Sequence, residues 1–412
     1  GHLVGAHEAA GPYRIPNVFI DEKIVYTNKI PCGHMRAPGD PQGFFASESH
    51  MDLLARELSM DPAEFRKKNL MRDGDESPLG SVIPHIKAEE TLERALKQSG
   101  YRRPKAKNVG RGIAVAQWLP LGGECTVFIR VNEDSTVTVS TAMMDQGAGT
   151  NTIVRQIVAE ELKIPLDWIR VETLDTTRVA TDTGVGASRS TRIYGNAAYE
   201  AAIQARGELT KATARYLDVS EEQIVLSGNG TLGAKGQKTT YSQVVKARGS
   251  PVSAQGYYKN EEIGPQASVC AQVAEVEVDP VTGQVRLRRF TTSHSTGTVI
   301  NPLTHQGQID GGVVMGAGYA LMEQIVIDGG IVSTANFGDY KIPTIQDIPI
   351  LRTAVLETPV GRGPYGSMSI GETPIISVAP AIANAVEDAV GVRIQSLPVT
   401  AEKVLNALKL LT

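Results

Sequence analysis

After Asp40-Pro41 the apolar residues fall at helical spacing, with Phe44, Met51, Leu54, Ala55 and Leu58 on one face. Aspartate followed by proline is a helix-start pattern, so a helix is placed from Asp40. Glu48 lies on that apolar stripe, and a carboxylate there needs a paired cation or a backbone donor. Asp61-Pro62 with Glu64 predicts a second helix, opened by a capping box. Residues 89–99 predict a third, amphipathic one. Alternation with a period of two predicts strands instead. Two short ones are placed within 17–29, turning around Asp21-Glu22, and others at 112–117, 126–131, 136–141 and 168–173. Asp279-Pro280-Val281-Thr282-Gly283 reads as the turn of a hairpin across 268–292. Residues 227–238 read as a polar hairpin, and 401–410 as a short amphipathic helix.

Two later helices have unusual compositions. Residues 301–324 carry Gly307, Gly311, Gly312, Gly316 and Gly318. Each glycine weakens an exposed helix by about 1 kcal/mol relative to alanine. A buried helix in close contact with a neighbour or a cofactor is the better account. Ala379, Ala381, Ala383, Ala385 and Ala389 predict a second closely packed helix. Thr373 suits its cap and Pro374 its first turn, while Pro380 leaves either a later start or a kink.

The 412 residues, 41% of them hydrophobic, suffice for two to three domains with real cores. A boundary is placed after the basic connector Arg102-Arg103-Pro104-Lys105, dividing 1–109 from 110–412. A net charge of −4 gives no reason to expect nucleic acid as a partner. No apolar run approaches the roughly 20 residues of a membrane span, so no membrane is expected either. Cys32, Cys125 and Cys270 form no CxxC pair and fit a reduced, cytoplasmic chain. They are too few to hold an iron–sulfur cluster alone. The chain opens on Gly1-His2-Leu3, which suggests a processed subunit or a fragment.

Candidate chemistry gathers in loops that precede helices. Arg36 lies in a Pro/Gly-bounded loop before Asp40, where an arginine fork and a helix end favour an anion. Gln146, Gly147 and Gly149 lead into a helix near Thr150, and Gly184, Gly186, Ser188 and Ser190 into another. Such loops are general anion cradles, because bare N–H groups face the ligand. Neither a Walker A nor a Rossmann fingerprint is present, which disfavours a plain phosphate- or dinucleotide-binding module. Glu372 stands between Gly371 and Thr373-Pro374. It is either a solvated or capping acid, or a general base whose pKa is raised by burial.

GPYRIPN, MRAPGDPQ, MDQGAGTNT, GASRST with YGNA, INPLTHQGQIDGG and GETPIISVAPAIANAVEDA occur in that order. Together they resemble the C-terminal part of the molybdenum-binding subunit of the xanthine dehydrogenase/aldehyde oxidase family. The resemblance implies an elongated α+β fold, with the end of one cofactor-binding domain in 1–109 and a second in 110–412. It implies a molybdenum–molybdopterin cofactor, in cytosine dinucleotide or mononucleotide form. It implies oxidative hydroxylation of an aldehyde or N-heteroaromatic compound, with Glu372 taking a proton from a molybdenum-bound hydroxide. By the same resemblance, Arg36, Gln146, Gly147, Gly186, Ala187, Ser188 and Ser190 bind the cofactor, and Met35, Ala37 and Pro38 face the substrate. Pro38 replaces an aromatic of purine-oxidising members, which speaks against a purine substrate. Electrons are expected to leave through 2Fe-2S clusters to FAD on an iron–sulfur subunit and a flavin subunit. A second chain is expected to carry the N-terminal half of the molybdenum subunit. The rival expectation is a structural or inactive, cofactor-free subunit of the same fold.

Overall fold

The computed structural model describes residues 9–28, 33–178, 182–260 and 266–410. In chain order its helices are α1 (Asp40–Glu57), α2 (Pro62–Asn69), α3 (Ala88–Ser99), α4 (Thr150–Leu162), α5 (Ser190–Leu217), α6 (Tyr241–Arg248), α7 (Pro302–Leu321), α8 (Thr373–Ile376), α9 (Val378–Val390) and α10 (Ala401–Lys409). The strands are β1 (Val109–Trp118), β2 (Gly123–Val131), β3 (Val137–Thr141), β4 (Ile169–Thr173), β5 (Val225–Gly228), β6 (Thr231–Ala234), β7 (Gln237–Thr240), β8 (Val252–Asn260), β9 (Ser268–Val278), β10 (Val285–Thr296), β11 (Ile327–Asp328), β12 (Ile331–Val332) and β13 (Ile350–Glu357).

Two four-stranded sheets carry the α+β architecture, ordered β1-β9-β10-β13 and β4-β3-β2-β8. In the first, β13 runs parallel to β10 and the other pairs are antiparallel. In the second, β4 runs parallel to β3. A small antiparallel sheet of β5, β6 and β7 stands where the polar hairpin was placed. The expected 268–292 hairpin is β9–β10, with Gly283 at φ 75° in its turn.

Both large sheets seat an alanine-rich helix on strand glycines. A Cβ at Gly110 or Gly112 of β1 would collide with the α9 backbone at Ala381, Ala385 and Ala389. A Cβ at Gly256 of β8 would collide with α5 at Ala197 and Ala201. Bare glycine lets each helix approach its sheet closely, and small residues on both sides fill the contact. One core then lies between the first sheet, α7 and α9, through Val276, Phe290, Val313 and Ile382. A second joins the opposite face to the N-terminal segment through Tyr13, Leu92, Ile113 and Val269. A third lies between the second sheet and α4–α6, through Val127, Val154, Tyr194 and Leu209.

Glu48 is fully buried and held as the sequence requires. It accepts from Arg66 Nε at 2.9 Å, Tyr13 Oη at 2.6 Å and the Val115 N–H at 2.9 Å. α1, α2 and β1 are thereby joined by one satisfied ion pair.

Several local expectations are corrected. Residues 17–28 form no strand, because no neighbouring segment among the described residues offers them a ladder; residue 29 lies outside the described residues. α1 is capped by Gly39, at φ 89°, and Asp40 is its first helical residue. Asp61 caps α2 by accepting from Ala63 and Glu64 N–H, but the Glu64 carboxylate reaches Arg102 at 2.6 Å, so only half of the box is made. Glu372, not Thr373, occupies the cap of α8. The chain breaks at Ser377 before α9 begins, which leaves Pro380 harmless in a first turn. α7 is buried on one face only: Gly312 and Gly316 meet Pro374 and Val378, whereas Gly307 faces open space.

Candidate active site

The site forms where both sheets' connections meet. At one end of the first sheet, Trp118 of β1 pairs with Ser268 of β9, and the Ser268 hydroxyl donates to the Ser369 carbonyl. This brings the 367–372 turn against the 184–190 loop from the other sheet. A Cβ at Gly371 would sit 3.0 Å from Ser188 Oγ, so a glycine lets the two loops touch. Ala37 and Ser188 both adopt left-handed backbone conformations, at φ 55° and 54°, which cost non-glycine residues energy and cluster at functional sites.

Glu372 sits at the centre. Its Oε2 accepts from Ser188 Oγ at 2.7 Å and its Oε1 from the Ala37 N–H at 3.1 Å. Burial pushes its carboxyl above the usual glutamate range; the Ser188 hydroxyl, the Ala37 N–H, Arg36 and Arg189 pull it back only in part. Arg36 ties three segments together. Its Nε donates to the Gly371 carbonyl at 2.5 Å, and its Nη2 to the carbonyl and side-chain oxygen of Gln308 on α7, at 2.9 and 3.2 Å. Its Nη1 meets the Met315 sulfur at 3.9 Å. The guanidinium expected as an anion fork therefore spends most of its donors on protein acceptors.

Around these residues lies a cavity of about 820 Å³. Met35, Arg36, Pro38, Gln146, Gly186, Ala187, Ser188, Ser190 and Glu372 all line it. Ala37 and Gly147 do not. Ala37 is fully buried and acts through its N–H on Glu372. Gly147 donates to Asp145 Oδ1 at 3.0 Å, as Gly149 does at 3.1 Å, and Asn151 donates to Oδ2 at 3.2 Å. The glycine loop before α4 is thus filled by its own aspartate, so those donors are not bare.

Sequence reasoning passed over several lining residues. Arg189 sits inside the quoted GASRST run and donates to the Gly186 carbonyl at 2.7 Å. Asn301, Thr304 and His305 come from the quoted INPLTHQ run at the start of α7. Burial holds His305 below the ordinary histidine range and drives the wholly buried His294 behind it down to about 3. The imidazoles therefore add no charge at neutral pH, and Arg36, Arg189 and Glu372 dominate the local field. Trp118, which the sequence offers as a core residue or a substrate-facing one, also lines the cavity; it is 5% exposed, and its indole Nε1 has no hydrogen-bond partner among the described residues.

Known proteins share the chain's sequence family and fold. The sequence profile of the molybdopterin cofactor-binding domain matches residues 86–349, and a second profile of the same description matches residues 2–70. The chain is 34% identical to the xanthine dehydrogenase molybdenum-binding subunit of Escherichia coli O157:H7, covering 98% of this chain and 57% of that subunit. It is 31% identical to the nicotine 6-hydroxylase large subunit of Paenarthrobacter nicotinovorans, covering 97% of this chain and 54% of that one. The fold superposes on the crystal structure of quinoline 2-oxidoreductase from Pseudomonas putida 86 with a TM-score of 0.88 and 26% identity, covering 98% of this chain and 57% of that one. The chain spans a little over half the length of these relatives.

Proposed function

The chain belongs to the molybdopterin cofactor-binding family, and from that premise we propose that it is a subunit of a molybdenum hydroxylase in which Glu372 is the general base. The observation that carries this reading is a half-buried carboxylate with a raised pKa, held from two sides in the wall of a large cavity.

The residues present fit the cofactor. Among the described residues no cluster of His, Cys, Asp or Glu could hold a metal ion, so a metal here has to arrive with ligands of its own, as it does on molybdopterin. The cavity wall is open at Gly186, where a Cβ would meet nothing within 4 Å. Ser367 lines the same wall, and its buried Oγ has no partner among the described residues. We assign Gln146, Gly186, Ala187, Ser188 and Ser190 to the cofactor, with Arg36 offering Nη1. Gly147 supports the loop that presents Gln146. The cofactor, when bound, supplies the oxidant and the oxygen that is transferred.

Glu372 does the acid–base work. Among the described residues each carboxylate oxygen accepts a single hydrogen bond, so each keeps a lone pair for an incoming proton. A raised pKa makes the carboxylate a stronger base than an exposed glutamate, and Ser188 and Ala37 fix its direction. Met35 and Pro38 face the substrate. Pro38 gives no aromatic ring for stacking, so the substrate is read as an aldehyde or an N-heteroaromatic compound other than a purine. Two of the relatives carry N-heteroaromatic compounds in their names, nicotine and quinoline.

We propose a second polypeptide that carries the N-terminal part of the molybdenum subunit, with iron–sulfur and FAD subunits as electron acceptors, in the cytoplasm. We keep 1–109 and 110–412 as the proposed sequence division, although the two share the core around Leu92, Ile113 and Val269. No described helix is long and apolar enough to cross a membrane. The test is metal analysis of the chain copurified with those partners. Molybdenum near one atom per subunit, with a pterin released on denaturation, supports the reading. No molybdenum in any assembly contradicts it and leaves a structural subunit.

A further inference from the structure

The turn that carries Glu372 is tied from behind to β9. α8 is four residues long, and the last four carbonyls of any helix need donors from elsewhere. Side chains of β9 supply two of them. Cys270 Sγ donates to the Thr373 carbonyl at 3.4 Å, and Gln272 Nε2 to the Pro374 carbonyl at 2.8 Å.

Gln272 also holds the far end of α8. Its Oε1 accepts at 2.8 Å from the hydroxyl of Ser377, the residue that closes the helix. Its amide nitrogen reaches Thr292 Oγ1 of β10 at 3.2 Å, and Thr292 Oγ1 lies 2.7 Å from His294 Nε2. In the β9–β10 register Gln272 stands opposite Thr292 and Cys270 opposite His294, so the four make one polar square in the sheet. None of them is more than 2% exposed. On the other flank of β9 their register partners are Ala114 and Ala116 of β1, which add only methyl groups. A buried polar group costs free energy unless it is paired, and a paired network rigidifies what it joins. What this one joins is the sheet and the turn that begins at Glu372.

We propose that Gln272 is a positioning residue: by bridging Pro374 and Ser377 it fixes the turn on which the Glu372 carboxylate meets Ser188 and Ala37. Arg36, in the cavity wall, holds the same turn through the Gly371 carbonyl, so the turn is pinned from two sides. The placement of Glu372 stands on this geometry alone; its consequence for turnover rests on the proposed function.

The test is the crystal structure and the kinetics of Gln272→Met in the molybdenum-loaded assembly, with the aldehyde or N-heteroaromatic compound that the parent turns over. Methionine keeps the length of the side chain but leaves Pro374 and Ser377 without their partner. Glu372 Oε2 moves out of hydrogen-bond reach of Ser188 Oγ, 2.7 Å away in the parent. kcat falls by at least about tenfold while KM changes by less than about twofold, the signature of a misplaced group that acts in the transition state. Gln272→Glu is the rescue. At acid pH its protonated carboxyl still donates to the Pro374 carbonyl and accepts from Ser377, so Glu372 keeps both contacts. Ser377→Ala is the milder cut, for the case in which methionine prevents folding; it moves Glu372 in the same direction and lowers kcat by less. Tyr241→Phe removes an equally buried hydrogen bond to the Leu162 carbonyl in the other core and leaves kcat as in the parent. A Glu372 carboxylate unmoved in Gln272→Met, or in Ser377→Ala where methionine prevents folding, overturns the proposal. So does one displaced as far in Gln272→Glu at acid pH, or a Tyr241→Phe that slows turnover as much. Full turnover in Glu372→Gln removes the base and not the positioning, which the displacement of the carboxylate decides by itself.

Discussion

Ser188 Oγ donates to Glu372 Oε2 at 2.7 Å, joining the loop before the 28-residue α5 to the turn before the four-residue α8. The two residues are 184 apart in sequence and come from the connections of different sheets. In the proposed function, their meeting is what turns a cap glutamate into a directed base.

That bond sets a pH dependence. Burial raises the Glu372 pKa above its ordinary 4.5, and among the influences that lower it the Ser188 hydroxyl is the largest. A base works only when deprotonated, so kcat/KM falls as pH drops through this raised value. Ser188→Ala removes the strongest lowering influence and moves the acid limb to higher pH, leaving the plateau reduced far less than by loss of the carboxylate. A pH–rate profile of both proteins checks this. A limb that stays put or moves to lower pH contradicts it.

The same shift has a stability consequence. A carboxyl whose folded pKa lies above its unfolded value keeps its proton longer when folded, so its contribution to stability declines as pH rises through the window between the two. Glu372→Gln removes that decline. Urea denaturation should show the variant gaining stability relative to the parent above the window, and no such gain at pH values below the unfolded pKa.

Arg36 holds the Glu372 turn through carbonyl oxygens of Gly371 and Gln308. Lysine keeps the charge but not the planar fork that spans both. Arg36→Lys should lower kcat by about 100-fold through misplacement of the carboxylate, since errors of about 1 Å cost that much. Steady-state kinetics at saturating substrate measures it, with molybdenum content as the control for cofactor retention.

The Glu48–Arg66 pair is wholly buried, with Asp52 on the same guanidinium at 2.5 Å. Arg66→Met strands both carboxylates and should cost about 3–5 kcal/mol in urea denaturation. The double variant Glu48→Gln/Arg66→Met should cost less than the sum of the two single changes, because no buried charge is left at Glu48 without its partner.

The fold was largely legible because its elements obey local rules. Four core strands and the β9–β10 turn follow from alternation and from Asp279–Gly283. The buried pairing of Glu48 follows from one acid on an apolar stripe. The clustering of Glu372 with Ser188 and Ala37 was legible only through the order of the quoted motifs, since no local pattern predicts contacts across 184 or 335 residues. What failed depends on neighbours. Residues 17–28 have strand alternation but no ladder partner among the described residues. The loop through Gln146, Gly147 and Gly149 reads as an anion cradle, yet the Asp145 carboxylate takes its N–H groups. Gly39 took the cap of α1 because the chain turns there through a left-handed conformation that suits glycine.

The most direct measurement is the turnover of Glu372→Gln in the molybdenum-loaded assembly, read beside its metal content. Glutamine keeps an oxygen for the Ala37 N–H but cannot act as a base. The account predicts an unchanged amount of bound molybdenum and a kcat lower by at least about 100-fold, within the range a general base contributes. Full metal content with undiminished kcat would contradict it.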